Sequence, residues 1–362
     1  MTVQKASPPM ILSAMVRTPR LATHVLEAGG GQPVVFIHGN LSDADVWHEQ
    51  LELLPDGFRG VALDLRGYGR SERKPVDATL GVADFTEDVR ALVGTLDLGP
   101  VHLVAHSMGA AVAYQYTIDH PDDVRTITVV APMSPYGIGG TRGNGQPCRA
   151  DFAGSGGGWN NPDFVRLLAT GDGSTDHPAS PRNVIRSLFF PQAADVRDEE
   201  TILASMLRTE VGDDYYPGEG APSEHWPGVA PGQRGVLNAI SPRYLDLSGF
   251  ARSGATAPVL WVRGGKDAVI ADRSTIDLGT LGALGLAPGW PGEDAHPPQP
   301  MDAQTRGLLT AYEAAGGSYR EQVLDEAGHF AFTQLPQRFA TLLREQLTYA
   351  SQPGCRPGPW RA

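Results

Sequence analysis

Apolar runs separated by amphipathic stretches dominate the first third of the chain. PVVFIHG (33 to 39) is a continuous apolar run ending in glycine, the pattern of a strand buried on both faces. A polar, helix-like stretch (43 to 54) follows it, and GVALDLRG (60 to 67) reads as a second buried strand. Phe85, Val89, Leu92, Val93 and Leu96 then recur at helical spacing. VHLVAHS (101 to 107) supplies a third strand, residues 108 to 120 a helix stopped by Pro121, and TITVVAP (126 to 132) a fourth strand. Strand–helix alternation of this length predicts an α/β fold, a doubly wound, mostly parallel sheet with right-handed crossovers.

The pattern breaks from about 134 to 244. Glycine and proline crowd this stretch (GIGGTRGNGQP, GSGGGW, YYPGEGAPSEHWPG), and it offers only short helix candidates at 162–169, 180–190 and 198–210. None of its glycine-rich loops follows a strand, so none reads as a phosphate loop. The alternation resumes with PVLWVRG (258 to 264), a helix at 301–315, SYREQVL (318 to 324) and a last helix at 336–347. The expected organisation is therefore a core in two parts, 1–133 and 245–350, with a helical, loop-rich cap inserted at 134–244 and a mobile tail at 351–362. Between 278 and 300 runs a Gly/Pro-rich segment too apolar for a solvated linker, with Leu281, Leu284, Leu286 and Trp290. It is expected to pack against the cap and wall the entrance to a site, anchored by Trp290.

Composition narrows the function. The formal charge of −12 over 362 residues argues against nucleic acid and anionic membranes as partners. Cys148 and Cys355 have no metal-ligand spacing and make no disulfide framework, though one bridge between them stays open. The apolar patch after Pro8-Pro9 is short for a signal peptide, and no run reaches the ~18 apolar residues of a membrane span, so a cytoplasmic location is expected.

Candidate chemistry begins at Ala105-His106-Ser107-Met108-Gly109, where a serine stands between a buried strand and a helix. One reading is a plain helix N-cap. The other is the G-x-S-x-G nucleophile elbow with alanine in the first glycine position, which needs small residues on both sides of a strained serine. HGN (38 to 40), DLRGYGRS (64 to 71), GGKDAV (264 to 269) and EAGHFAF (326 to 332) accompany it in order. With these motifs the chain resembles the α/β-hydrolase-fold proteins over roughly 20–132 and 258–347. The resemblance implies a triad in the order Ser, Asp/Glu, His, with Ser107 as nucleophile. Of the histidines after Ser107, only His329 comes shortly after a strand; His120 ends a helix, His177 and His225 fall in the insertion, and His296 lies in a Pro-rich loop. Asp267 matches the family motif for the orienting acid, with Asp272 as fallback. Asp64, Arg66, His38 and His106 read as structural.

The resemblance also implies an oxyanion hole from the N–H groups of Met108 and Asn40, whose amide could also project into the pocket. In related dehalogenases an asparagine there holds halide, but those enzymes use an aspartate nucleophile. Tyr136, Trp159, Trp226 and Trp290 are candidate substrate contacts. The expected activity is hydrolysis of a carboxylic ester or lactone, an apolar small molecule, through an acyl-enzyme, with no metal or organic cofactor. C–C bond or amide hydrolysis on the same triad is the first alternative, and a non-turnover ligand receptor the second.

Overall fold

The computed structural model describes residues 9–192 and 195–349. The tail expected at 351–362, with Cys355, lies outside the described residues. Eight strands form the main sheet: β1 (Leu12–Arg17), β2 (Ala22–Gly29), β3 (Gln32–Ile37), β4 (Phe58–Leu63), β5 (Val101–His106), β6 (Val124–Val130) and, after the insertion, β11 (Val259–Gly264) and β12 (Tyr319–Leu324). Their spatial order is β1-β2-β4-β3-β5-β6-β11-β12. β1 and β2 are antiparallel to their neighbours, and the remaining pairs are parallel. The chain thus runs from β3 to β4 on one side and returns to place β5 on the other. Connections leave β3 and β5 in opposite directions, which opens a crevice at their carboxyl ends.

The apolar runs explain the centre of the sheet. All six β5 residues are buried, as are Val34 to Ile37 of β3, so hydrophobic residues fill both faces. The antiparallel β1–β2 pair was not expected from the pattern. LSAMVR in β1 is almost wholly exposed, and β2 carries Thr23 and His24 among its buried positions, so neither gives an apolar signal. His24 is instead satisfied by Asp64 and Ser13, each at 2.9 Å. Aromatic side chains close the core beside the sheet. Trp47 stacks on Phe332 with ring centroids 4.1 Å apart, and Phe250 packs between Tyr114 and Tyr312 at 4.7 and 4.5 Å.

The segment between β6 and β11 holds the helices Pro162–Ala169, Pro181–Val184 and Glu199–Leu207, a π-turn over Ile185–Phe189, and four short strands. These pair as β7 (Val211–Gly212) with β8 (Tyr216–Pro217) and β9 (Gly220–Pro222) with β10 (Val229–Pro231). Asn161 caps the first helix through the Asp163 N–H, and Ser180 caps the second through that of Asn183. Buried polar contacts fasten the segment to the core. The Asp43 carboxylate accepts from Arg208 Nε at 2.6 Å and Ser205 Oγ at 2.7 Å, while Gln299 accepts from the Gly139 N–H and donates to the Gly137 carbonyl. The 278–300 stretch is more ordered than its composition predicts. It opens with the helix Leu278–Ala283, capped by Asp277, because glycine there lets the helix lie against the Pro297 carbonyl.

Candidate active site

Ser107 ends β5 with φ 51° and ψ −116°, a left-handed conformation that a side-chain-bearing residue adopts only under constraint. The constraint is packing around the turn. A Cβ on Gly109 would lie 2.5 Å from the His38 carbonyl oxygen and 2.7 Å from that of Ile37, so only glycine lets the helix Met108–Asp119 start this close to β3. Ala105 is fully buried between Ile37 and Val129, and its methyl fits there. Although Ser107 occupies the N-cap position, its side chain makes no capping hydrogen bond. The plain N-cap reading therefore fails, and the hydroxyl faces a cavity of about 600 Å³.

His329 lines the same cavity. Its imidazole Nδ1–H donates to Asp267 Oδ2 at 2.9 Å, and both side chains are almost fully buried. The other Asp267 oxygen accepts the N–H groups of Val269 and Ile270 at 2.8 and 3.0 Å, which fixes the carboxylate with one lone-pair face toward the ring. The approach of the two loops depends on glycine: a Cβ on Gly264 would meet the carbonyl oxygens of Ala327 and Gly328 at 2.3 Å. Asp272 lies elsewhere, accepting the Ala303 N–H at 2.9 Å. With Nδ1 committed to Asp267, Nε2 is the ring nitrogen left to face other partners.

Asn40 and Met108 also line the cavity. Met108 opens its helix, so its N–H is among the donors that no helical carbonyl takes. The Asn40 side-chain oxygen accepts from the Tyr68 hydroxyl at 2.6 Å and from the Leu41 N–H at 3.0 Å, which locks its amide. Leu41 itself has φ 55°, so the turn after β3 is strained as the turn after β5 is. The leucine gives no sequence signal of this.

Two histidines support the turns as neutral rings. His38 donates from Nδ1 to the Gly39 carbonyl at 2.7 Å and accepts the Leu65 N–H on Nε2 at 3.0 Å; burial lowers its pKa. His106 donates from Nε2 to the His329 carbonyl at 3.1 Å, and burial, with the charge of His329 adding to it, pushes its pKa well below the ordinary value. Asp64 accepts from His24 and from the N–H groups of Ala44 and Arg70, and Arg66 pairs with Asp84 and Asp88.

Of the four aromatic candidates, only Trp159 lines the cavity. Trp290, Tyr136 and Trp226 lie outside that lining. Trp290 donates its indole N–H to the His296 carbonyl and packs over Gly282; Trp226 donates to the Pro288 carbonyl with its ring edge-on to His296; Tyr136 packs over Gly145. Their indoles and ring bind loop to loop, so their surface is spent on the seam rather than on the cavity. From the 269–281 region Val269, Ile270, Thr275, Ile276 and Leu281 reach the cavity instead.

A family model described as the alpha/beta hydrolase fold matches residues 32–146. An (E)-2-((N-methylformamido)methylene)succinate hydrolase from Acinetobacter baylyi is 33% identical over 121 residues, 33% of this chain and 45% of that protein. A non-heme chloroperoxidase from Kitasatospora aureofaciens is 44% identical over 112 residues, 30% of this chain and 40% of that one. The chain thus spans less than half the length of these relatives. An esterase from Exiguobacterium antarcticum superposes with a TM-score of 0.59 at 19% identity, over 94% of this chain and all of the other, a likeness of fold. Among the described residues no helix is long and apolar enough to cross a membrane. By its sheet order, its strained turn after β5 and these matches, the chain has the α/β-hydrolase fold.

Proposed function

We propose that the protein is a serine hydrolase of uncharged carboxylic esters or lactones, with residues 134–244 as a cap over the site. Ser107 Oγ attacks the carbonyl carbon while His329 Nε2 takes the hydroxyl proton. Asp267 holds the imidazole tautomer and stabilises the imidazolium. The N–H groups of Met108 and Asn40 receive the oxyanion. The tetrahedral intermediate collapses, the alcohol oxygen leaves with the proton from His329, and the acyl group stays on Ser107. Water, deprotonated by the same histidine, then releases the acid.

One observation carries this reading. A strained serine not used for capping and a histidine bonded to a buried aspartate share one cavity whose lining, among the described residues, holds no Asp, Glu, Lys or Arg. The volume is in the range of small-molecule sites, and the walls are mainly aliphatic and aromatic. A dicarboxylate, such as the succinate in the name of the Acinetobacter relative, would meet no Lys or Arg among the described residues of that lining.

A substrate panel tests the proposal. Uncharged esters and lactones should turn over with kcat/KM at least about 10-fold above matched esters bearing an acyl-chain carboxylate, since each well-buried group contributes about 1–3 kcal/mol. Turnover restricted to amides or β-diketones would assign the same residues to C–N or C–C cleavage. Binding without turnover would make the protein a receptor.

A further inference from the structure

His329 is held at three points, one of which belongs to the insertion. Its Nδ1–H donates to Asp267, its backbone carbonyl accepts from His106 Nε2–H at 3.1 Å, and its backbone N–H donates to the Phe189 carbonyl at 2.9 Å. Phe189 closes the π-turn Ile185–Phe189, and its ring lies 5.8 Å from the His329 ring and 5.2 Å from that of Phe330. The side chains of Leu188 and Phe189 line the cavity. A single turn therefore offers side chains to the cavity and a carbonyl to His329. π-Turns inside helices recur where function demands a local departure from α geometry.

Gly328 shows how closely the two segments meet. A Cβ there would lie 2.7 Å from the Phe189 carbonyl oxygen, 2.9 Å from Pro191 Cδ and 3.3 Å from Phe190 Cα. Its φ is an ordinary one, so space alone requires glycine. The Gly328 N–H is also tied to Gln334 Oε1 at 3.0 Å, which holds the His329 loop from its other side.

We propose that the insertion positions the catalytic base through the Phe189 carbonyl, and that filling the cavity tightens this contact. The proposal rests on the reading of His329 as base. An acyl chain that covers Leu188 and Phe189 restricts the turn and holds its carbonyl on the His329 N–H. Chain length then acts on the chemical step as well as on binding. Phe189 and Gly328 are positioning residues, acting on substrate through His329.

For the wild type, kcat across p-nitrophenyl esters from acetate to octanoate should rise with acyl length, not KM alone improving. Gly328→Ala should lower kcat for the octanoate about 10- to 100-fold, the scale of an ångström-sized misplacement, and flatten the dependence on length. Its KM should stay within about twofold, as expected when transition-state rather than ground-state interactions are lost. Wild-type kcat in the variant, or an equal loss for every chain length, overturns the proposal. A second measurement needs no variant: hydrogen exchange of the His329 amide should slow severalfold when octan-1-ol fills the cavity, and an unchanged rate overturns the proposal even if Gly328→Ala does not fold. The underlying reading fails separately, if Ser107→Ala retains the esterase activity.

Discussion

Hydroxyl, imidazole and carboxylate also come together away from the candidate active site, in different surroundings. Ser13 Oγ–H donates to His24 Nε2 and His24 Nδ1–H to Asp64, each at 2.9 Å, on an exposed edge strand in regular conformation. Ser107 instead sits at φ 51° in the wall of a cavity beside the N-terminus of a helix. Activation needs an oxyanion site as well as a base, so a fluorophosphonate is expected to leave Ser13 unmodified, as peptide mapping would show. The two candidate acids separate in the same way. Asp267→Asn should fold and lose roughly 10⁴-fold in kcat by presenting the wrong hydrogen-bond pattern to His329. Asp272→Asn keeps an acceptor for the Ala303 N–H and should leave kcat within about twofold. The positions of Ser107, Asp267 and His329 just past strand ends were legible because the proposed chemistry calls for particular side chains there. Leu41 and Phe189 were not, because one contributes a dihedral angle and the other a carbonyl, which any residue type can supply.

At the scale of elements, the 278–300 segment divides into a wall and a fastening. Leu281 faces the cavity from the helix Leu278–Ala283, whereas Trp290 and His296 stitch the segment to itself and, through Trp226, to the insertion. Aromatic content gave the presence of an anchor but not its direction, since an indole on a loop seam and one on a cavity wall have the same sequence signature. Trp290→Ala should therefore lower stability by about 1–3 kcal/mol in chemical denaturation and leave the ratios of kcat/KM among esters intact. Leu281→Ala should do the converse, shifting acyl preference by about 10-fold with a smaller loss of stability. The parallel strands were readable as continuous apolar runs. The β1–β2 pair was not, because an exposed edge strand owes its place to backbone pairing and to the His24–Asp64 contact.

For the whole molecule, buried histidines set the response to acid. His296 is buried, neither ring nitrogen has a hydrogen-bond partner among the described residues, and burial pushes its pKa down to about 4; His102 is lowered to about 4 for the same reason. Between pH 4 and the unfolded value of 6.5, the unfolded chain binds more protons, so stability is present above 6.5 and falls as pH drops toward 4. Asp302, pushed up to about 7 chiefly by burial against the opposing pull of Arg263, works in the other direction over pH 4 to 7. The diagnostic comparison is thus between wild type and His296→Phe, which should lose about 2 kcal/mol less between pH 7 and 4.5 in urea unfolding. Equal losses would mean that His296 finds a partner for its charge in the folded state. The central claim, that the crevice between β3 and β5 holds an activated serine, is tested most directly by intact mass after treatment with a fluorophosphonate. Wild type should gain one adduct that maps to Ser107, and Ser107→Ala should gain none. An unmodified wild type, or an adduct that persists in Ser107→Ala, would contradict it.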